Sequence, residues 1–149
     1  MSYAPELVAT PESCGVDFDA RPFGEALRDF AAAALERLLG LPDPPTALLG
    51  FDDSRALAAL GELNRHGRKA GEDFALAGMG DGAIRRGECD WLTSTRTYPR
   101  KMGAAALRAA LEGGLPSEGR TIIVPNRLYI RRSTCPPSAG NVAVRLGGK

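Results

Sequence analysis

Three aspartates stand out by where they fall. Asp52 and Asp53 follow the apolar run Ala47 to Phe51, and Asp81 follows the run Phe74 to Met79. A carboxylate in such a place accepts hydrogen bonds at both oxygens, which suits the hydroxyls of a sugar or the amines of a nucleobase. Asp53 and Asp81 could instead act as acid and base in a small α/β enzyme on a sugar or nucleotide. For Asp53, capping the helix that follows stands on equal terms with either. Stronger chemistry is not spelled out. The segment Gly78-Met79-Gly80-Asp81-Gly82 lacks the third glycine of a dinucleotide loop and the Lys-Ser/Thr of a P-loop. Tyr98 and Lys101 are three apart rather than four, and no nucleophile pairs with the single histidine, His66. We therefore assign no catalytic residue and no cofactor. One histidine and three scattered cysteines, Cys14, Cys89 and Cys135, also leave no set of metal ligands.

What must position the aspartates is an alternation of apolar runs and amphipathic stretches. A strand-like segment from Glu6 to Thr10 leads into a turn-rich loop, Pro11 to Arg21. Leu27, Phe30, Ala31, Ala34, Leu35, Leu38 and Leu39 recur at helical spacing and predict a helix ended by Gly40 and Pro42. Ala47 to Phe51 is continuously apolar, as a strand buried on both faces would be. A second helix over 54–66, capped by Asp53 or Ser54, would turn Leu57, Leu60 and Leu63 inward and stop at Gly67. There follow a strand from Phe74 to Met79, a weak helical turn near 83–87 and a strand over 92–97. A helix from Pro99 to Glu112 then carries Met102, Ala106, Leu107, Ala110 and Leu111 on one side. Arg120 to Val124 and Arg127 to Arg131 read as two last strands. In the second, arginines alternate with Leu128 and Ile130 as in a half-exposed edge. Short connections between alternating strands and helices define α/β architecture on a parallel sheet, where ligands bind beyond the strands' carboxyl ends. All three aspartates fall there.

Composition narrows the function classes. The 149 residues are one domain's length, 44% hydrophobic and 25% charged, ordinary for a globular protein with a core. With 19 Lys+Arg against 18 Asp+Glu the net charge is +1, too small a field to draw nucleic acid or membrane. Neither a bilayer-spanning run nor a secretion signal is present, so the cytoplasm is the expected compartment, in keeping with reduced thiols.

The order of segments resembles the C-terminal portion of LacI/GalR-family regulators. Pro44-Pro45-Thr46-Ala47-Leu48-Leu49, Phe51-Asp52-Asp53 and Ala56-Leu57-Ala58-Ala59-Leu60 resemble the family's "PTAIxxxND..AxGAL" block. Gly71-Glu72-Asp73-Phe74-Ala75-Leu76-Ala77-Gly78-Met79-Gly80-Asp81 resembles "PEDVSVVGFDD", with Gly71 for the usual proline and Gly80 for the first aspartate. Leu92-Thr93-Ser94-Thr95-Arg96 with Met102-Gly103 resembles "LTTVRQPxxEMG", though Thr97-Tyr98 replaces Gln-Pro. Arg131-Arg132-Ser133-Thr134 resembles the closing "xRxST".

The resemblance implies a three-layer parallel-sheet lobe of a periplasmic-binding-protein-like fold, incomplete because the helix-turn-helix head and amino-terminal lobe have no counterpart here. It implies a non-enzymatic sensor of a small-molecule effector, taken to be a carbohydrate or nucleoside-like compound. Asp53 would fall on the acidic position that contacts effector, and Phe18 on the aromatic that stacks on it. Phe18 also fits a core position on a loop. Asp52 and Asp81 complete the expected set. Residues 1–134 would form the lobe, with the helix and connector 99–118 docking on the absent lobe and 135–149 a flexible tail. Helix 54–66 would offer a face for a homodimer, although burial within the lobe accounts equally for its leucines, and this chain alone should not bind DNA or membrane. If nothing covers it, the helix from Pro99 leaves Met102, Leu107 and Leu111 in water, forfeiting about 1.5–3 kcal/mol each.

Overall fold

Hydrogen bonding between strands begins at Ala47, in a computed structural model that describes residues 4–111 and 121–134. Four strands form one sheet in the order β1-β2-β3-β4: β1 (Ala47–Leu49), β2 (Ala75–Gly80), β3 (Thr93–Arg96) and β4 (Arg127–Tyr129). The first three run parallel, with Leu48 opposite Leu76 and Gly78 opposite Ser94. Strand β4 is antiparallel to β3, so that Ser94 faces Tyr129 and Arg96 faces Arg127. The expected α/β class holds, with one antiparallel strand at the edge of a parallel sheet.

Helix α1 (Phe23–Leu39) buries Ala26, Ala31, Ala34, Leu35 and Leu38, a stripe at 3.6-residue spacing. Helix α2 (Asp53–Arg65) turns Ala56, Ala59 and Leu63 inward, while the expected Leu57 and Leu60 are only half-buried on its flank. Small alanines on both helices let them pack closely over the sheet. Their core joins Leu35, Leu63, Phe74, Leu76, Ala83, Cys89 and Leu92. Helix α2 ends as its glycine suggests. Gly67 sits at φ 69, and the N–H groups of Gly67 and Arg68 donate to the carbonyls of Asn64 and Leu63 at 3.1 and 2.8 Å, a complete Schellman closure. Helices α3 (Gly82–Arg85) and α4 (Pro99–Leu111) complete the described helices.

Several expectations need correction. Glu6 to Thr10 is no strand. Pro5–Leu7 forms a 3-10 turn, because proline fixes its own φ and removes a ladder donor at the start of the segment. Without that strand β1 lies at the sheet edge, and Leu49 and Phe51 are each 73% exposed rather than buried on both faces. Residues 121–126 have no regular structure, and Val124 is followed by Pro125, which cannot donate to a ladder. The cap of α2 is Asp52, whose Oδ1 accepts the Arg55 N–H at 2.8 Å, and not Asp53 or Ser54. Helix α4 buries no residue, and Leu111 is 76% exposed. The tail expected over 135–149, and the part of the connector over 112–120, lie outside the described residues.

Candidate functional site

The carboxyl ends of β1 and β2 deliver the acidic residues, and packing then separates them into two groups. Asp53 opens α2 directly beneath β2. Its approach is so close that a Cβ on Gly78 would stand 2.6 Å from Asp53 Oδ1, so only glycine fits there. Asp53 Oδ1 accepts from the Ser94 hydroxyl at 2.6 Å and Oδ2 from the Ala83 N–H at 3.2 Å. The same Ser94 Oγ accepts the Asp81 N–H at 3.0 Å. One hydroxyl thus joins the ends of β2 and β3 to the start of α2.

Asp81 is fully buried and takes φ 54, a left-handed conformation that Asp and Asn tolerate better than most residues. Arg96 and Arg131 pin its two oxygens from opposite sides: Arg96 Nε donates to Oδ2 at 2.6 Å, and Arg131 Nη2 to Oδ1 at 2.9 Å. Arg131 Nη1 also donates to the Leu92 carbonyl at 2.7 Å. The hydrogen bond to Asp81 raises the Arg96 pKa above its ordinary value, so this guanidinium keeps its charge. The closing Ser133 works alongside Arg131. Its hydroxyl donates to the Leu76 carbonyl and accepts the Thr93 N–H at 2.8 Å.

Asp52, Arg55 and Phe18 form the second group, at the surface. The Arg55 guanidinium pairs with Asp52 and lies 5.3, 5.6 and 6.0 Å from the ring centres of Phe18, Phe51 and Phe23. Phe18 is half-buried, edge-on to Phe30 and tilted against Phe23. Arg55 separates two cavities. One of about 520 Å³ has Glu12, Asp17, Phe18 and Asp19 on its walls. The other, about 630 Å³ and apolar, runs past Leu7, Leu38, Leu49 and Met79. The Glu12 carboxyl is held below its usual pKa by its own backbone N–H and by the Thr10 hydroxyl, so the smaller cavity keeps an acidic rim.

Of the four expected contact residues, the structure thus brings Phe18 and Asp52 together around Arg55, and places Asp53 and Asp81 in a shared interior network. Asp53 is 4% exposed and Asp81 fully enclosed, with every carboxylate oxygen already bonded to protein. They shape the site from behind. Sequence reasoning did not single out Ser94, Arg55, Arg96 or Arg131 for these roles. The signal for two of them was present, since Arg96 and Arg131 are the arginines of the "LTTVR" and "xRxST" blocks. Ser94→Ala should lower stability by about 1–3 kcal/mol, because Asp53 Oδ1 and the Asp81 N–H lose a common partner in the interior. A urea midpoint equal to that of the wild type would contradict that role.

The carboxyl edge of an open α/β sheet, where these acids and the aromatic gather, is where such sheets take ligands. A model of the periplasmic binding protein-like domain matches residues 7–134, and the chain belongs to that family. Among curated proteins it is 32% identical over 102 residues to the HTH-type transcriptional repressor CytR of Escherichia coli (strain K12), covering 66% of this chain and 30% of the relative. It is 30% identical over 82 residues to the HTH-type transcriptional repressor PurR of Aliivibrio salmonicida (strain LFI1238), covering 55% of this chain and 25% of the relative. The chain therefore spans less than a third of the length of these relatives, which are transcriptional repressors rather than enzymes. Solved structures agree. A LacI transcriptional regulator from a Rhodococcus species aligns with TM-score 0.59 and 26% identity, covering 73% of this chain and 41% of that one. A LacI family regulator from Arthrobacter sp. FB24, in complex with lactose, aligns with TM-score 0.54 and 28% identity, covering 74% and 41%. No described helix is long and apolar enough to cross a membrane.

Proposed function

We propose that this chain is the ligand-sensing lobe of a cytoplasmic LacI/GalR-type transcription regulator, and that its effector is a neutral polyhydroxylated molecule, a sugar or a nucleoside. The observation that carries the reading is the small cavity in which Phe18 lies between an acidic rim and Arg55. An aromatic face takes the apolar side of a sugar or base ring, while carboxylates accept from hydroxyls and amines. Three carboxylates against one arginine disfavour an anionic ligand at this position. Lactose in the Arthrobacter neighbour supports the sugar class, and the names of the other relatives support a regulatory role. Phe18 and Asp52 with Arg55 are the residues proposed at the ligand, with Asp53 and Asp81 holding the strands that present them. Helix α4, which buries nothing here, would dock on a companion lobe, and α2 offers Leu57 and Leu60 to a second copy.

Calorimetric or NMR titration with lactose, cytidine and adenosine tests the reading. Saturable binding of one of them without turnover, weakened about tenfold or more by Phe18→Ala, is expected. Consumption of the ligand, abolished by Asp53→Ala or Asp81→Ala but not by Phe18→Ala, would instead establish the small-enzyme alternative.

A further inference from the structure

On the sheet face that carries Ser94, strands β3 and β4 place Arg96 directly opposite Arg127 and Ser94 opposite Tyr129. Side chains two apart on a strand share a face, so Arg127, Tyr129 and Arg131 line up on the same side as Arg96. Their guanidinium groups do not fan out into water as charges on a solvated edge would. All three lie against one ring, 4.5 Å (Arg96), 5.1 Å (Arg127) and 5.2 Å (Arg131) from the centre of Tyr129. Like charges directly opposite each other on antiparallel strands are destabilising unless something neutralises them. Asp81 answers only part of the charge, since both its oxygens are taken by Arg96 and Arg131, and among the described residues Arg127 has no carboxylate partner. Three guanidiniums against one carboxylate leave a net charge of two along the row, with Arg127 at its exposed end.

We propose that Arg127, with Arg96 and Tyr129, forms a binding site for a phosphate group. A phosphate dianion matches the two uncompensated charges, and its oxygens match the planar fork of Arg127, whose N–H donors are uncommitted among the described residues. Arg96 is held in place from behind by Asp81, and the ring of Tyr129 fixes the spacing of the guanidiniums, so the site is built before the anion arrives. It shares no residue with the Phe18 and Arg55 cavity and does not depend on the effector proposed there. The phosphate can be inorganic or carried by a small metabolite.

The test is an NMR titration of the intact chain at ionic strength held constant with sodium chloride. The probes are inorganic phosphate, glucose 6-phosphate and AMP, with glucose and adenosine as unphosphorylated controls. Saturable 1:1 shifts at Arg96, Arg127 and Tyr129 are expected with every phosphorylated probe and with neither control. Arg127→Gln should weaken binding of inorganic phosphate about tenfold or more, and Arg127→Lys less. Because Arg127 is exposed, these variants should keep the wild-type circular dichroism. Tighter binding of glucose 6-phosphate or AMP than of inorganic phosphate would assign the site to a phosphorylated metabolite, and equal binding to free phosphate. Three results would overturn the proposal: shifts that follow ionic strength whichever anion is added, phosphate affinity unchanged in Arg127→Gln, or preferential binding of a single-stranded oligonucleotide at equal phosphate concentration.

Discussion

Asp81→Asn should destabilise the fold by about 3 kcal/mol, read as a lower urea midpoint with an unchanged slope. Asparagine tolerates the left-handed φ of 54 that this position requires, so the substitution removes charge while leaving the backbone at ease. What it exposes is the dependence of Arg96 and Arg131 on a single buried carboxylate. Breaking a buried pair by removing one partner costs about 3–5 kcal/mol, because the remaining charge stays desolvated. Arg96 keeps partial access to water, which places the effect at the lower end. An unchanged midpoint would mean that both arginines swing out to solvent and that the network contributes nothing to folding. Ser94 itself carries no charge, so its removal leaves no arginine without its ion partner and should matter less.

A second large effect is expected where the chain departs from the family pattern. Gly71→Pro restores the residue that the "PEDVSVVGFDD" block carries, yet it should lower stability by about 3 kcal/mol or more and the melting temperature by roughly 10 °C. Gly71 takes φ 84, which proline, locked near −65°, cannot adopt. Its N–H donates to the Phe74 carbonyl at 2.8 Å, a bond that proline abolishes. Space is lacking as well, since a Cβ on Gly71 would lie 2.2 Å from the Arg132 carbonyl oxygen in the closing segment. A variant that melts at or above the wild-type temperature would show that the turn can rebuild itself in the form the rest of the family uses.

Much of this fold is legible in the sequence because local patterning decides it. The stripe from Ala31 to Leu38, the Gly67 stop and the apolar run at Leu76 each carry their signal within a few residues. Other parts are decided by partners that local pattern does not name. Glu6 to Thr10 has the composition of a strand, but Pro5 starts a tight turn there and no neighbour pairs with it. Ala47 to Leu49 reads as an interior strand and is an edge, because its exposure depends on that missing neighbour. At the site, Asp53 and Asp81 are visible as acids at strand ends, while their burial is not, since Ser94 lies 41 residues from Asp53 and Arg131 lies 50 from Asp81. Asp52 shows the smallest error, a cap displaced by one residue.

The reach of the closing segment has a consequence for how the chain is made. Ser133 bonds to Leu76 across 57 positions, and Arg131 to Asp81 across 50. Contacts between such distant residues must bear the entropy of closing a long loop before they return anything, and they form late. On the ribosome, helices α1 and α2 can meet as soon as both have emerged. Asp81 and the start of β3 must then wait, with their polar groups in water, until residue 134 has cleared the exit tunnel. The unit therefore locks as its last described residues arrive, so a nascent chain stalled before Arg131 would hold its helices but not its strand ends.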